Sequence, residues 1–378
     1  MLHRYYLLFV FCFLFFVKSW GQQFHPSSQI SIVTASQGEK LYNIFGHSAI
    51  RVNDTINNYD LVYNYGIFDF STPNFYTKFI RGKLLYKLGL QRFNSFVAGY
   101  ERQGRQVTER IFNLNEAQKT QVLSFLDENY KPENRKYLYD FFYDNCASRI
   151  RDVFEQHLNG NLIYDTAAVK QITFRQQLDE YLPGKPWANF GIDLILGLPA
   201  DKKADFRNQM FLPDYLEENL SKASLNGQPL LSKQYIVTPL TKSTKNINSL
   251  FSPLLVMCLV ALLFFIATFF IKNNTLQNLL DVFLFGLLAI AGCVFLFMWL
   301  GTNHQACYKN LNMLWANPLY LLVIPYAKIK HVKLIWWVIL VLNILLIISF
   351  PFFPQQYHIA FIPIFFMVVF RSVKNLRE

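Results

Sequence analysis

Hydrophobic and polar positions follow one rhythm from residue 22 to about residue 248 and another from Leu250 onward. In the first stretch, Gln29 to Ala35, Gly46 to Asn53 and Tyr59 to Gly66 are strand-length runs rich in β-branched and aromatic residues. The last two flank the turn Asn53-Asp54-Thr55, which predicts a hairpin. Asn115, followed three residues later by Gln118, resembles a capping box, with Val122, Leu123 and Leu126 at helical spacing behind it. A second helix is predicted from about Asn145, because Ile150, Val153, Phe154 and Leu158 form one apolar stripe that Gly160 can end. Between Asn74 and Leu90, Phe75, Phe79, Leu84, Leu85 and Leu88 alternate with Lys78, Arg81, Lys83 and Lys87. That pattern suits either an amphipathic segment resting on anionic lipid or a half-buried element with a solvated basic edge. Prolines, glycines and polar residues dominate Pro183 to Asn248, which predicts irregular structure leading down to a membrane.

From Leu250 onward the chain is a series of apolar segments: Leu250 to Ile271, Leu279 to Leu300, Met313 to Ala327, Leu334 to Phe353 and Tyr357 to Phe370. The first, second and fourth have spanning length. The third and fifth are short, with Pro318, Pro325 and Pro363 inside them. At the other end, His3 and Arg4 precede an apolar run from Leu7 to Val17 and the small residues Ser19 and Gly21, the form of an export signal cleaved after Gly21. The organisation predicted is a signal over 1–21, an exported domain over 22–248 and a transmembrane domain of about five helices over 249–378.

Charge changes the picture only once it is located. The net charge of +11 would suit a nucleic-acid partner, but residues 22 to 248 hold 26 basic and 23 acidic side chains. The excess lies beside the apolar segments, which argues for membrane orientation and against phosphate binding. Lys272, then Lys328, Lys330 and Lys333, then Arg371, Lys374 and Arg377 follow alternate segments, while the opposite loops hold only Lys309. By the positive-inside rule these clusters face the cytoplasm of a bacterial inner membrane, the exported domain is periplasmic and the C-terminus is cytoplasmic. Of the cysteines, Cys12 lies in the signal, Cys258 and Cys293 in apolar segments and Cys307 in a short loop. Cys146 alone falls in the polar region after the signal, so it has no partner there for a disulfide.

Two segments carry candidate chemistry. In Phe45-Gly46-His47-Ser48-Ala49-Ile50-Arg51-Val52, alternation puts His47, Ala49 and Arg51 on one strand face, so that one face forms core while the other presents His47 to a cleft. In Tyr143-Asp144-Asn145-Cys146-Ala147-Ser148-Arg149, Asp144 or Asn145 can cap the helix, leaving Cys146 in its first turn. The helix dipole and free N–H groups there favour a thiolate and can hold an oxyanion. His47 would serve as the general base. Neither metal-ligand spacing nor a phosphate-binding glycine loop occurs, so no cofactor is expected.

A strand histidine followed about a hundred residues later by an Asn-Cys helix start resembles the circularly permuted NlpC/P60 (papain-like) group, to which lecithin retinol acyltransferase belongs. The wording Phe45-Gly46-His47-Ser48 and Asp144-Asn145-Cys146, followed by Arg149, is closer still to the Lnb-type bacterial lipoprotein N-acyltransferases. The likeness runs from about Ile30 to Pro318 and includes Thr302, His304, Asn310, Asn312, Asn317 and Pro318. It implies an α+β permuted papain-like exported domain followed by an all-α multi-span domain. It also implies transfer of a fatty acyl chain from a phospholipid to the α-amine of a diacylglyceryl-cysteine lipoprotein. A third polar group should orient His47. The permuted fold would put it on the next strand, with Asn64 the first choice and Asp60 or Tyr65 the alternatives. His304, Asn310, Asn312 and Arg149 are the expected substrate-binding residues, the first three from an outer loop that forms either a headgroup cradle or an ordinary interfacial turn. The competing functions are a Cys-His phospholipase, a cell-wall peptidase or amidase, and a membrane receptor in which Cys146 is inert.

Overall fold

A computed structural model of the chain describes residues 24–158, 162–166, 169–241, 251–323 and 333–377. The export signal with Cys12, the junction near Asn248, and Gly160, Pro325, Lys328 and Lys330 lie outside the described residues. The strands β1 (Gln29–Ala35), β2 (His47–Asp54), β3 (Tyr59–Ile67), β4 (Leu85–Arg92), β5 (Val107–Ile111) and β6 (Lys136–Leu138), with the late strand Tyr235–Thr238, build one antiparallel seven-stranded sheet. Its order is Tyr235–Thr238, β5, β1, β2, β3, β4, β6. The hairpin forms as the turn predicts, with Asp54 paired to Tyr59.

On one face, Ile30, Ile32, Ile50, Val52, Tyr63, Tyr65 and Leu88 alternate inward against the helices Glu116–Tyr130, Cys146–His157 and Pro213–Lys222. The predicted Asn115/Gln118 capping box is present, and Val122 and Leu126 are fully buried behind it. The opposite face is also covered, because Phe93 and Phe96 of the helix Phe93–Glu101 pack on Val33, Ala35, Ala49 and Val62. One face of β2 was expected to form core and the other to present His47 to a cleft; both faces are covered along the strand, and His47 stands at its first position, at the edge of this second layer.

The stretch from Pro183 to Asn248, expected to be irregular, contains the helices Pro186–Ile195 and Pro213–Lys222 and the strand that closes the sheet beside β5. The many prolines misled: Pro186 and Pro213 occupy the first helical position, where the missing N–H costs nothing.

Among the described residues, four apolar helices follow that are long enough to cross a membrane: Pro253–Phe270, Asn274–Leu300, Lys333–Phe352 and Ile359–Arg377. Many of their large apolar side chains point outward, Phe269, Leu263 and Ile348 among them, as a hydrocarbon solvent requires. Of the predicted third segment, Tyr320–Val323 is helical and packs Tyr320 on Phe285; residues 324–332 lie outside the description. The bundle has two distinct ends. Near one, Lys333 Nζ donates to the carbonyl of Leu376 and Gln277 caps the carbonyls of Ala267, Thr268 and Ile271. At the other, the loop 301–318 and residues 355–358 meet the sheet domain. Arg371 was counted as a cytoplasmic charge, but it is 1% exposed and bound to Asp281, Gln277 and Thr268 within the bundle. Its charge is paired with Asp281, toward the end of the bundle where Gln277 and Lys333 lie.

Candidate active site

The helix Cys146–His157 starts where its sequence dictates. Asn145 accepts from the N–H groups of Ala147 and Ser148, and Ser148 Oγ accepts from Asn145 N–H, a reciprocal capping box. The Asn145 amide donates to the carbonyls of Phe141 and Phe211, so the cap itself is pinned from both sides. Of the two capping candidates Asn145 is therefore the one used. Asp144 instead takes a bidentate bond from Arg149 at 2.6 and 2.7 Å.

His47 reaches Cys146 from β2, and its Nε2 lies 2.7 Å from Asn64 Oδ1 on β3. An amide oxygen can only accept, so Nε2 carries the proton and Nδ1 is left for the Cys146 thiol. Asn64 is thus the residue that holds the imidazole. Asp60 is bound to Arg51, and the Tyr65 hydroxyl donates to Asn129, so neither alternative meets His47. Two glycines shape the approach. Gly46, at φ +79°, turns the chain into β2, and Gly66, at φ +92°, sits in the irregular register between Asn64 and Ile67. A Cβ on Gly66 would stand 3.7 Å from Cβ of Cys146 and 3.9 Å from the Tyr139 ring.

The electrostatics favour an ion pair. Burial pushes the Cys146 thiol up. It is outweighed by the adjacent His47 charge, the His47 hydrogen bond and the N–H groups of Ser48 and Ala147, so the net shift is downward. Burial likewise pushes His47 down, and the Cys146 charge with the bonds to Cys146 and Asn64 reverses it. The two shifts share one cause, the attraction between thiolate and imidazolium.

The predicted binding residues divide. Arg149 pairs with Asp144 and lies 3.6 Å over the Tyr137 ring, a bracing role beside the helix start. Asn310 and Asn312 are 2% and 0% exposed. Their amides donate to the carbonyls of Leu194 and Ile195 and of Asp193 and Leu194. Those two side chains fasten the loop to the sheet domain. Gly197 allows the closest approach: a Cβ there would fall 2.0 Å from the Tyr308 carbonyl oxygen. His304 is different, since its Nε2 lies 3.0 and 3.1 Å from the carbonyls of Phe79 and Ile80 and the residue stays partly exposed. The loop also buries Ala306 in a cluster with Ile44, Phe142, Phe174 and Phe211, close to the turn that leads into His47.

Tyr139 was not anticipated. Its ring stacks on Tyr86 at 4.5 Å and flanks Cys146 across Gly66. The alternation Tyr137-Leu138-Tyr139 shortly before the Cys146 motif was the available signal. Arg105 was missed as well. It is 4% exposed, donates to the carbonyls of Ser36 and Ala35, and its charge opposes protonation of His47. Among the described residues no cluster of His, Cys, Asp and Glu could hold a metal ion.

Two family models match the chain: the Lnb N-terminal periplasmic domain over residues 16–179 and the Lnb transmembrane domain over residues 244–378. No curated protein and no solved structure matches. The part of the sheet domain that carries His47, Asn64 and Cys146 falls under the first model and the apolar helices fall under the second, while residues 180–243 match neither. The chain is a membrane protein of the Lnb family, with that family's periplasmic domain and transmembrane domain in one polypeptide.

Proposed function

We propose that the chain is a lipoprotein N-acyltransferase that works through a Cys146 thioester. The observation that carries the reading is the hydrogen-bonded trio Cys146, His47 and Asn64, in a domain fastened to a loop that leaves the membrane bundle. A thiolate beside an imidazolium at a helix start is a nucleophile suited to an acyl ester.

In the first half-reaction the Cys146 thiolate attacks an ester carbonyl of a phospholipid. The C–S bond forms, the C–O bond breaks, and the imidazolium of His47 gives its proton to the departing glycerol oxygen. The positive end of the helix faces the oxygen on which charge develops. In the second, neutral His47 accepts a proton from the α-amine of a diacylglyceryl-cysteine lipoprotein. Nitrogen attacks the thioester, the C–S bond breaks and the thiolate returns to its place beside the imidazolium. Thioester to amide is downhill, so the cycle needs neither nucleotide nor metal. Asn64 keeps the imidazole turned toward sulfur through both halves.

The reading sets the sheet domain on the periplasmic face of the inner membrane, and the loop 301–318 brings that face within reach of lipid. Mass spectrometry of lipoprotein N-termini from cells with the chain, without it and with Cys146→Ala is the test. The added acyl group should be present in the first and missing from the other two. Fully acylated N-termini in all three would overturn the reading.

A further inference from the structure

We infer that a strip of aromatic rings between Cys146 and the membrane bundle is the track that holds the acyl chain of the phospholipid. The strip is continuous. Tyr139 flanks Cys146 across Gly66, stacks on Tyr86 at 4.5 Å, and Tyr86 meets Phe68 at 5.4 Å. Phe68 meets Phe75 at 5.8 Å, and Phe75 lies stacked toward Phe79 at 6.2 Å. The backbone carbonyls of Phe79 and Ile80 are then taken by His304, in the loop that follows the helix Asn274–Leu300.

Two features of the strip point to lipid. It is exposed where a soluble domain would bury it: Phe70, which rests on Phe68 and Phe75, is 70% exposed and Phe79 is 48% exposed. A contiguous apolar surface of this kind marks an interaction site, and aromatic rings are the side chains that favour the level of lipid headgroups. Basic side chains also border it. Lys78 lies on the helix Phe75–Ile80, Arg81 and Lys83 follow in the turn, and Lys87 lies in β4. They suit the phosphates of the bilayer surface at the outer end of the strip, toward which the acyl chain runs when its ester carbonyl lies at Cys146. Of the two readings the sequence allowed for Asn74 to Leu90, the half-buried element describes β4, which is built into the sheet, and the lipid-facing reading belongs, on this inference, to the helix and turn.

The identity of the ligand rests on the acyl-transfer reading; its location does not. The test uses the full chain with Cys146→Ser, reconstituted in phosphatidylglycerol vesicles that contain a phospholipid with a diazirine at the end of one acyl chain. On illumination, label should appear on the peptide holding Phe68 to Phe79 as well as on the apolar helices. Phe70→Asn with Phe79→Asn, both at exposed positions and with thermal unfolding unchanged, should cut label on that peptide about tenfold and leave the helices labelled as before. Label confined to the helices, or undiminished on the strip in the double variant, would overturn the inference. Because no thioester forms in Cys146→Ser, the outcome is independent of whether the protein transfers acyl groups.

Discussion

Cys146 owes its reactivity to neighbours that can be removed one at a time. Its thiol is shifted down from the ordinary value of 9.0 by His47, so the thiolate persists below that pH and is lost as pH falls through the lowered value. Iodoacetamide alkylation of Cys146 followed against pH should therefore show a midpoint below 9, and in His47→Ala that midpoint should rise. An identical midpoint in both proteins would dissolve the ion pair. Loss of the base in His47→Ala should also slow acyl-enzyme formation about a hundredfold or more. Asn64 acts through His47, so Asn64→Ala should slow the reaction on the order of tenfold or more, with recovery in Asn64→Asp, which keeps the accepting oxygen. Unchanged rates in Asn64→Ala would make its bond to His47 incidental.

At the scale of elements, the strands and the Cys146 helix were legible because each rule acts locally. Alternation set the hairpin, and Asn145 with its apolar stripe set the helix. Asn64 could be chosen because it lies on the strand after His47. The contacts of Arg149, Asn310 and Asn312 were not legible, since each is made with a partner far along the chain or with a ring packed beside it. A polar loop at the membrane boundary reads alike whether its amides wait for a headgroup or hold the carbonyls of 193–195. The two roles part on mutation. Asn310→Ala should leave the part-buried Ile195 carbonyl without its donor, at about 1–3 kcal/mol, while Leu194 keeps its bond from Asn312, and lower the unfolding temperature. His304→Ala should leave stability in place and lower acyl transfer, because it frees the lipid-facing helix from the loop. A fall in stability with normal transfer in His304→Ala would reduce that histidine to a fastener like its neighbours.

Over the whole molecule, the two ends of the bundle differ in what they carry. The sheet domain binds one end, while Lys272, Lys333 and Arg377 gather at the other. Tyr320–Val323 follows the loop at the domain end, and Lys333 stands at the far end. A reporter fused after Lys374 should behave as cytoplasmic and one inserted near Gln305 as exported; the reverse would invert the orientation drawn from the basic residues. The central claim, that an acyl group passes from lipid to lipoprotein through Cys146, is tested most directly by following the label itself. Incubated with phospholipid labelled in its acyl chain, the protein should acquire hydroxylamine-sensitive label, and Cys146→Ala should acquire none. A diacylated lipopeptide with a free α-amine should then discharge the label into a stable amide. Release of the label as free fatty acid at a rate the lipopeptide does not change would contradict the account and make the protein a phospholipase.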